Sequence, residues 1–168
     1  MVNASKITLS LIYLLILNGC TQNVDKKNKK MSNTDLFYTV ASGFDYSRFP
    51  VIKPYEAMTI NDGSNWNIGL KDDIGFSCNV LNVKKLNVIN GLIVVYSNNS
   101  TMLNSKKVYE AWFAINPITK KEKGFETEKE FLNYLKKEGI EKPNWKDVNA
   151  VFNQFAETYC LDWIPHCK

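Results

Sequence analysis

Lys85-Leu86-Asn87-Val88-Ile89-Asn90-Gly91-Leu92-Ile93-Val94-Val95-Tyr96 is the stretch on which the fold turns. Two β-branched runs flank Asn90-Gly91, the dipeptide that fills both positive-φ positions of a type I′ turn, so the segment predicts an antiparallel hairpin. A two-residue turn fixes the register. Val88 falls opposite Ile93 and Leu86 opposite Val95 on one face, while Asn87 and Lys85 oppose Val94 and Tyr96 on the other. The first face is expected to be core and the second partly wet.

Upstream, Leu36 to Val40 and Tyr46 to Tyr55 are aromatic and β-branched, and Pro50 and Pro54 exclude both a helix interior and a central ladder position. Edge strands or extended wrapping segments are expected there. Ala57-Met58-Thr59-Ile60 and Asn65-Trp66-Asn67-Ile68-Gly69-Leu70 flank Asn61-Asp62-Gly63-Ser64, a second hairpin signal. In this stretch Thr59, Gly63 and Trp66 resemble the Asp-box hairpin of sialidase-like propellers, with Asn61 and Asn65 in place of its Asp and Thr. The resemblance implies a hairpin staple and no glycosidase, because a propeller needs many four-stranded blades.

Downstream, Ser97 to Ser105 reads as a polar loop, and Val108 to Ile115, apolar on both faces, as a central strand ended by Asn116-Pro117. Two helices follow. Thr127 and Glu130 form a capping box, Phe131 and Leu135 an apolar stripe, and Gly139 with Ile140 a C-terminal stop. The second helix is expected to start at Asn144 and to bury Val148, Val151, Phe152, Phe155, Ala156 and Tyr159, spaced at helical period. Strands followed by helices predict an α+β fold: an antiparallel sheet of hairpins, with both C-terminal helices packed on one face.

The chain has 168 residues, 45% hydrophobic and 23% charged, the composition of one globular domain. Its formal charge is +4, and the surplus sits at the N-terminus. Setting aside Lys6, Lys26, Lys27, Lys29, Lys30 and Asp25 leaves 16 basic and 16 acidic residues from Met31 onward, out of 21 and 17. A neutral domain excludes a dedicated nucleic-acid binder.

Lys6 precedes an uncharged run, Ile7 to Leu17, too short to span a bilayer but of the length of a secretory signal core. Leu17-Asn18-Gly19-Cys20 resembles the lipobox of bacterial lipoproteins. That resemblance implies a signal peptide over residues 1–19. It also implies a Cys20 carrying a diacylglycerol thioether and an amine-linked acyl chain such as palmitate, and attachment to the cell membrane or outer membrane on its extracytoplasmic side, in the cell envelope or periplasm. More than one acyl chain gives stable anchoring. Residues 20–35 then read as a lipidated, flexible basic tether, with too little apolar surface to fold, and residues 36–168 as a single α+β domain.

An extracytoplasmic address also bears on the cysteines. With Cys20 lipidated, Cys160 and Cys167 are the disulfide candidates and Cys78 stays reduced; Cys160, His166 and Cys167 are too few for a structural zinc site. Catalytic sets are missing. His166 is the lone histidine, no phosphate-cradling glycine motif occurs, and Glu126, Glu128, Glu130 and Glu138 interleave with lysines on a solvated helix face. Asn61, Asp62, Asp72 and Asp73 lack EF-hand spacing. No cofactor or metal is expected. Among the aromatic residues, Trp66 and Trp163 are candidates for a platform that stacks a sugar or contacts a partner protein.

The sequence therefore favours a membrane-anchored extracytoplasmic lipoprotein acting as a non-catalytic binding or structural module, with an immunity or inhibitor protein as one subclass. Its partners would be membrane lipid through Cys20 and a protein or glycan. The alternative is an envelope hydrolase acting on cell-wall material through paired carboxylates.

Overall fold

At the centre of the sheet the Asn90-Gly91 turn forms as its sequence requires. The two residues take φ of 52° and 79°, and Val88 pairs with Ile93 and Leu86 with Val95. The computed structural model describes residues 35–43, 45–60, 65–70, 79–103, 106–165 and 167. Cys20 and the tether up to residue 34, the turn Asn61 to Ser64, Asp72, Asp73, Cys78 and His166 lie outside the described residues.

The class is α+β. Seven strands follow one another as an antiparallel meander, each hydrogen-bonded to the next: β1 (Tyr46–Ile52), β2 (Tyr55–Ile60), β3 (Trp66–Gly69), β4 (Asn79–Ile89), β5 (Leu92–Leu103), β6 (Lys106–Asn116) and β7 (Lys121–Phe125). Then come α1 (Glu128–Lys137), the short β8 (Lys146–Asp147) and α2 (Val148–Thr158). The α1 signals work as written: Thr127 Oγ1 accepts from the Glu130 N–H at 3.3 Å, and past Gly139, at φ 74°, the Ile140 N–H returns to the Leu135 carbonyl.

The two helices pack on opposite faces of the sheet, where the sequence predicts both on one face. On β5, Ile93 and Val95 join an inner core with Phe49, Trp66, Leu86 and Phe113, which Val148, Val151 and Phe155 of α2 complete. Leu92 and Val94 point the other way, into an outer core with Trp112, Ala114 and Phe125, which Phe131 and Leu135 of α1 complete. Strand alternation makes this unavoidable. A central strand apolar on both sides needs a cover on both sides.

A slot in the sheet lets the chain cross from outer to inner face. Strand β3 pairs with β4 only as far as Val83, and beyond that point β8 takes over the same edge, at Lys85 and Leu86. Asn87 seals the crossing: its amide donates to the Pro143 and Asn144 carbonyls, at 3.3 and 2.8 Å. The hairpin's second face is partly wet, as the sequence predicts: Asn87 and Val94 are buried, Tyr96 is half-buried and Lys85 is exposed.

Three local expectations change. Ser97 to Leu103 is not a loop but the outer half of β5, paired with β6 through Leu103–Lys106. Its polar residues tolerate the strand because a register shift after Asn98 puts Asn99 at positive φ, where Asn82 donates to the Asn99 carbonyl at 2.6 Å. Leu36 to Tyr38 is a 3₁₀ turn capped by Asp35, not an extended segment. Finally, α2 starts at Val148 under the Asp147 cap, not at Asn144, and ends at a left-handed Tyr159, so Ala156 and Tyr159 are exposed and Phe152 is half-buried.

Both ends of the strand order are guarded. Beside β1, the Arg48 N–H donates to the Ala41 carbonyl at 2.7 Å and Ser42 bridges to Ser47; β7 alternates Lys121, Glu122 and Lys123, with both lysines exposed. The sheet curls enough for the Tyr55 hydroxyl, at the start of β2, to donate to Glu122 of β7 at 2.7 Å. Burial first, and the Glu122 carboxylate second, push the Tyr55 phenol well above its ordinary 10.0. A raised tyrosine keeps its contribution below pH 10 and loses it as the pH climbs. Tyr55→Phe should therefore cost about 1–2 kcal/mol at neutral pH and flatten the loss of stability above pH 10, measured by urea titration at each pH.

Candidate functional site

Trp66 and Trp163, the two aromatic candidates, are placed by the structure as anchors of the inner core. Trp66 is 1% exposed; its ring lies between Phe49 and Phe152, at 5.1 and 5.0 Å, and its indole N–H donates to Asn149 of α2 at 2.7 Å. Nothing can stack on it. Trp163 is half-buried, donates to the Pro50 carbonyl at 3.2 Å and is topped by the Lys146 ammonium, 5.4 Å from the ring centre. Lys146 is itself ion-paired to Asp162. Cys160 and Cys167 are joined by a disulfide with Cα atoms 5.3 Å apart, closing a loop whose Leu161 and Ile164 are buried in the same core.

Among the described residues, two of the surface concavities bear on ligand binding. The first, about 640 Å³, is an open cleft between β7 and α1. Strand alternation on β7 sends Lys123 and Phe125 to the outer face, opposite Ala114 and Trp112, and α1 supplies Glu130, Asn133, Tyr134 and Lys137. The Lys123 ammonium rides 5.3 Å from the Phe125 ring centre and 5.1 Å from that of Tyr134. Burial, then a hydrogen bond with Glu138, raises the Tyr134 phenol above its ordinary value. Cations, an amide and carboxylates thus surround two rings at the solvent boundary. Such a set can hold a polar ligand by charge-assisted bonds.

This cleft also holds a pair of carboxylates, Glu126 and Glu130. Both are exposed, and Glu130 is committed to the helix cap, its Oε2 accepting from the Thr127 hydroxyl at 3.0 Å. A general acid is best served by apolar surroundings, and both carboxylates stand in solvent. Among the described residues no group of three His, Cys, Asp or Glu is placed to hold a metal ion.

The second concavity, about 370 Å³, is a groove on the outer face of β2 to β4, lined by Pro54, Glu56, Met58, Ile60, Asn67, Gly69, Leu70 and Asn79. Here α1 offers no cover, and Met58 and Ile60 stay 39% and 65% exposed. The sequence carried a signal for it: β2 reads Tyr-Glu-Ala-Met-Thr-Ile, with buried Tyr55, Ala57 and Thr59 on one side and apolar Met58 and Ile60 on the other.

Compared with protein-family models, with curated proteins and with solved structures, the chain matches none. Among the described residues no helix is long and apolar enough to cross a membrane.

Proposed function

We infer that the chain is a lipid-anchored, extracytoplasmic binding protein without catalytic function, held at the cell or outer membrane through Cys20 and contacting a protein or glycan through the cleft between β7 and α1. The observation that carries this reading is the makeup of that cleft: Lys123, Asn133, Tyr134 and Lys137 around a ring-lined floor, with its carboxylates at the solvent boundary. Charged and amide groups around aromatic rings suit a polar partner. An immunity or inhibitor protein would use such a face.

A photoreactive residue at Asn133 in the anchored protein should yield a covalent adduct in intact cells, and Lys123→Ala with Tyr134→Ala should reduce that adduct at least fivefold. Adduct no stronger than that from Glu157, exposed on α2, would sink the binding site. Release of soluble fragments from purified cell wall, abolished by Glu126→Gln, would instead establish the hydrolase. The anchor is read separately. A metabolic acyl label should enter the protein and vanish in Cys20→Ser, and label retained by that variant would refute lipidation.

A further inference from the structure

Of the nine large hydrophobic side chains exposed among the described residues, five fall between residues 36 and 60: Leu36, Val40, Tyr46, Met58 and Ile60. Three of them share one face of the sheet, and the other two lie on the segment bonded to it. Tyr46 and Ile60 are cross-strand partners, as are Arg48 and Met58, so all four leave the outer face of β1 and β2. Arg48 carries the remaining two. Its guanidinium, almost fully buried, donates to the Phe37 and Val40 carbonyls at 2.9 Å each, pairs with Glu56 at 2.6 Å and lies 5.1 Å from the Phe37 ring centre. The segment that holds Leu36 and Val40 is thereby clamped to the same face.

That segment is also where the chain arrives from Cys20. Lys53 pins its first residue, Asp35, at 2.6 Å, and with the Phe37 N–H holds the Asp35 carboxyl below its ordinary value. Fourteen residues lie between Cys20 and Asp35, a reach of at most about 50 Å, and they include Lys26, Lys27, Lys29 and Lys30. A patch of aliphatic side chains with a tyrosine, placed where a basic chain from an acylated cysteine enters, has the composition of an interfacial membrane contact.

We propose that the outer face of β1 and β2, with the segment from Leu36 to Val40, rests on the phospholipid surface, its occupant being the lipid interface. This orientation rests on the lipid-anchor reading. It leaves the cleft between β7 and α1, whose lining shares no residue with this face, to the partner.

The test uses the full acylated protein in vesicles of phosphatidylethanolamine and phosphatidylglycerol that carry a diazirine in the acyl chain, with lipid adducts located by peptide mass spectrometry. Adducts on residues 36–60 should exceed those on residues 106–120, which hold the still more exposed Tyr109 and Ile118, at least fivefold. The double variant Met58→Asp with Ile60→Asp, at exposed positions where folding is little affected, should bring the two regions level. Adducts spread evenly on protein whose intact mass shows an acylated Cys20 would overturn the resting face and leave the anchor standing. An intact mass without the acyl chains would overturn the anchor and the orientation with it. A photoreactive residue at position 60 that captures protein instead of lipid would give the face to a partner and refute the proposal.

Discussion

Phe155→Ala lowers the stability of the domain by about 3–5 kcal/mol, the cost of removing a buried phenyl ring and leaving its cavity. Phe155 is fully buried in the inner core, with its ring centre 5.7 Å from that of Tyr159. Phe131→Ala should cost the same by an independent route, because Phe131 is equally buried in the outer core, stacked on Trp145 at 5.8 Å. Either loss is a large share of the roughly 5–15 kcal/mol that holds a domain together. Because the sheet stands between the two rings, the milder pair Phe131→Leu and Phe155→Leu should add within about 0.5 kcal/mol in urea denaturation. Strong coupling between them would show that the two cores are not separate, while Glu157→Ala, exposed on α2, should change the midpoint by no more than about 0.5 kcal/mol.

The second large effect belongs to the disulfide. Closing the short loop between Cys160 and Cys167 removes unfolded-state entropy worth about 2–3 kcal/mol in the chain-entropy model. The loop places Leu161 and Ile164 in the inner core and Trp163 against the Pro50 carbonyl. Reduction therefore loosens a lid as well as a covalent link. The melting temperature should fall on the order of 10 °C with reductant. Thiol counting on the unreduced, denatured anchored protein should find Cys78 alone, and three reactive thiols would rule the bridge out.

What the sequence made legible follows from how local each signal is. The register at Asn90-Gly91 and the capping of α1 by Thr127 depend on residues within four positions of one another, and the structure has both. The assignment of Ser97 to Leu103 failed because a strand of polar residues is held by its partners β4 and β6, which no local pattern encodes. The placement of the helices failed for a similar reason. Two amphipathic stripes and two apolar sheet faces do not say which meets which, and the answer depends on β3 being too short to close the edge of β4. The seal that Asn87 makes was not legible either, because the carbonyls that take its amide lie 56 and 57 positions away.

The candidate surfaces were less legible still. Tryptophan is prominent in sequence and went to the core, whereas the exposed face rests on Met58 and Ile60, ordinary residues whose significance comes only from the lack of a cover. Lys123 and Tyr134 were visible as a lysine in a strand and a tyrosine on a helix. Their juxtaposition needed α1 to fold back over β7.

The guarded flanks have a consequence for copies crowded on one surface. A sheet that ends in a bare strand invites the next molecule to continue its ladder, and so to grow into fibres. On one flank the chain from Ala41 to Gly43 already occupies β1, and on the other Lys121 and Lys123 would meet their own like charges. Where copies stand close together, neither flank then offers a bare strand for the next molecule to extend.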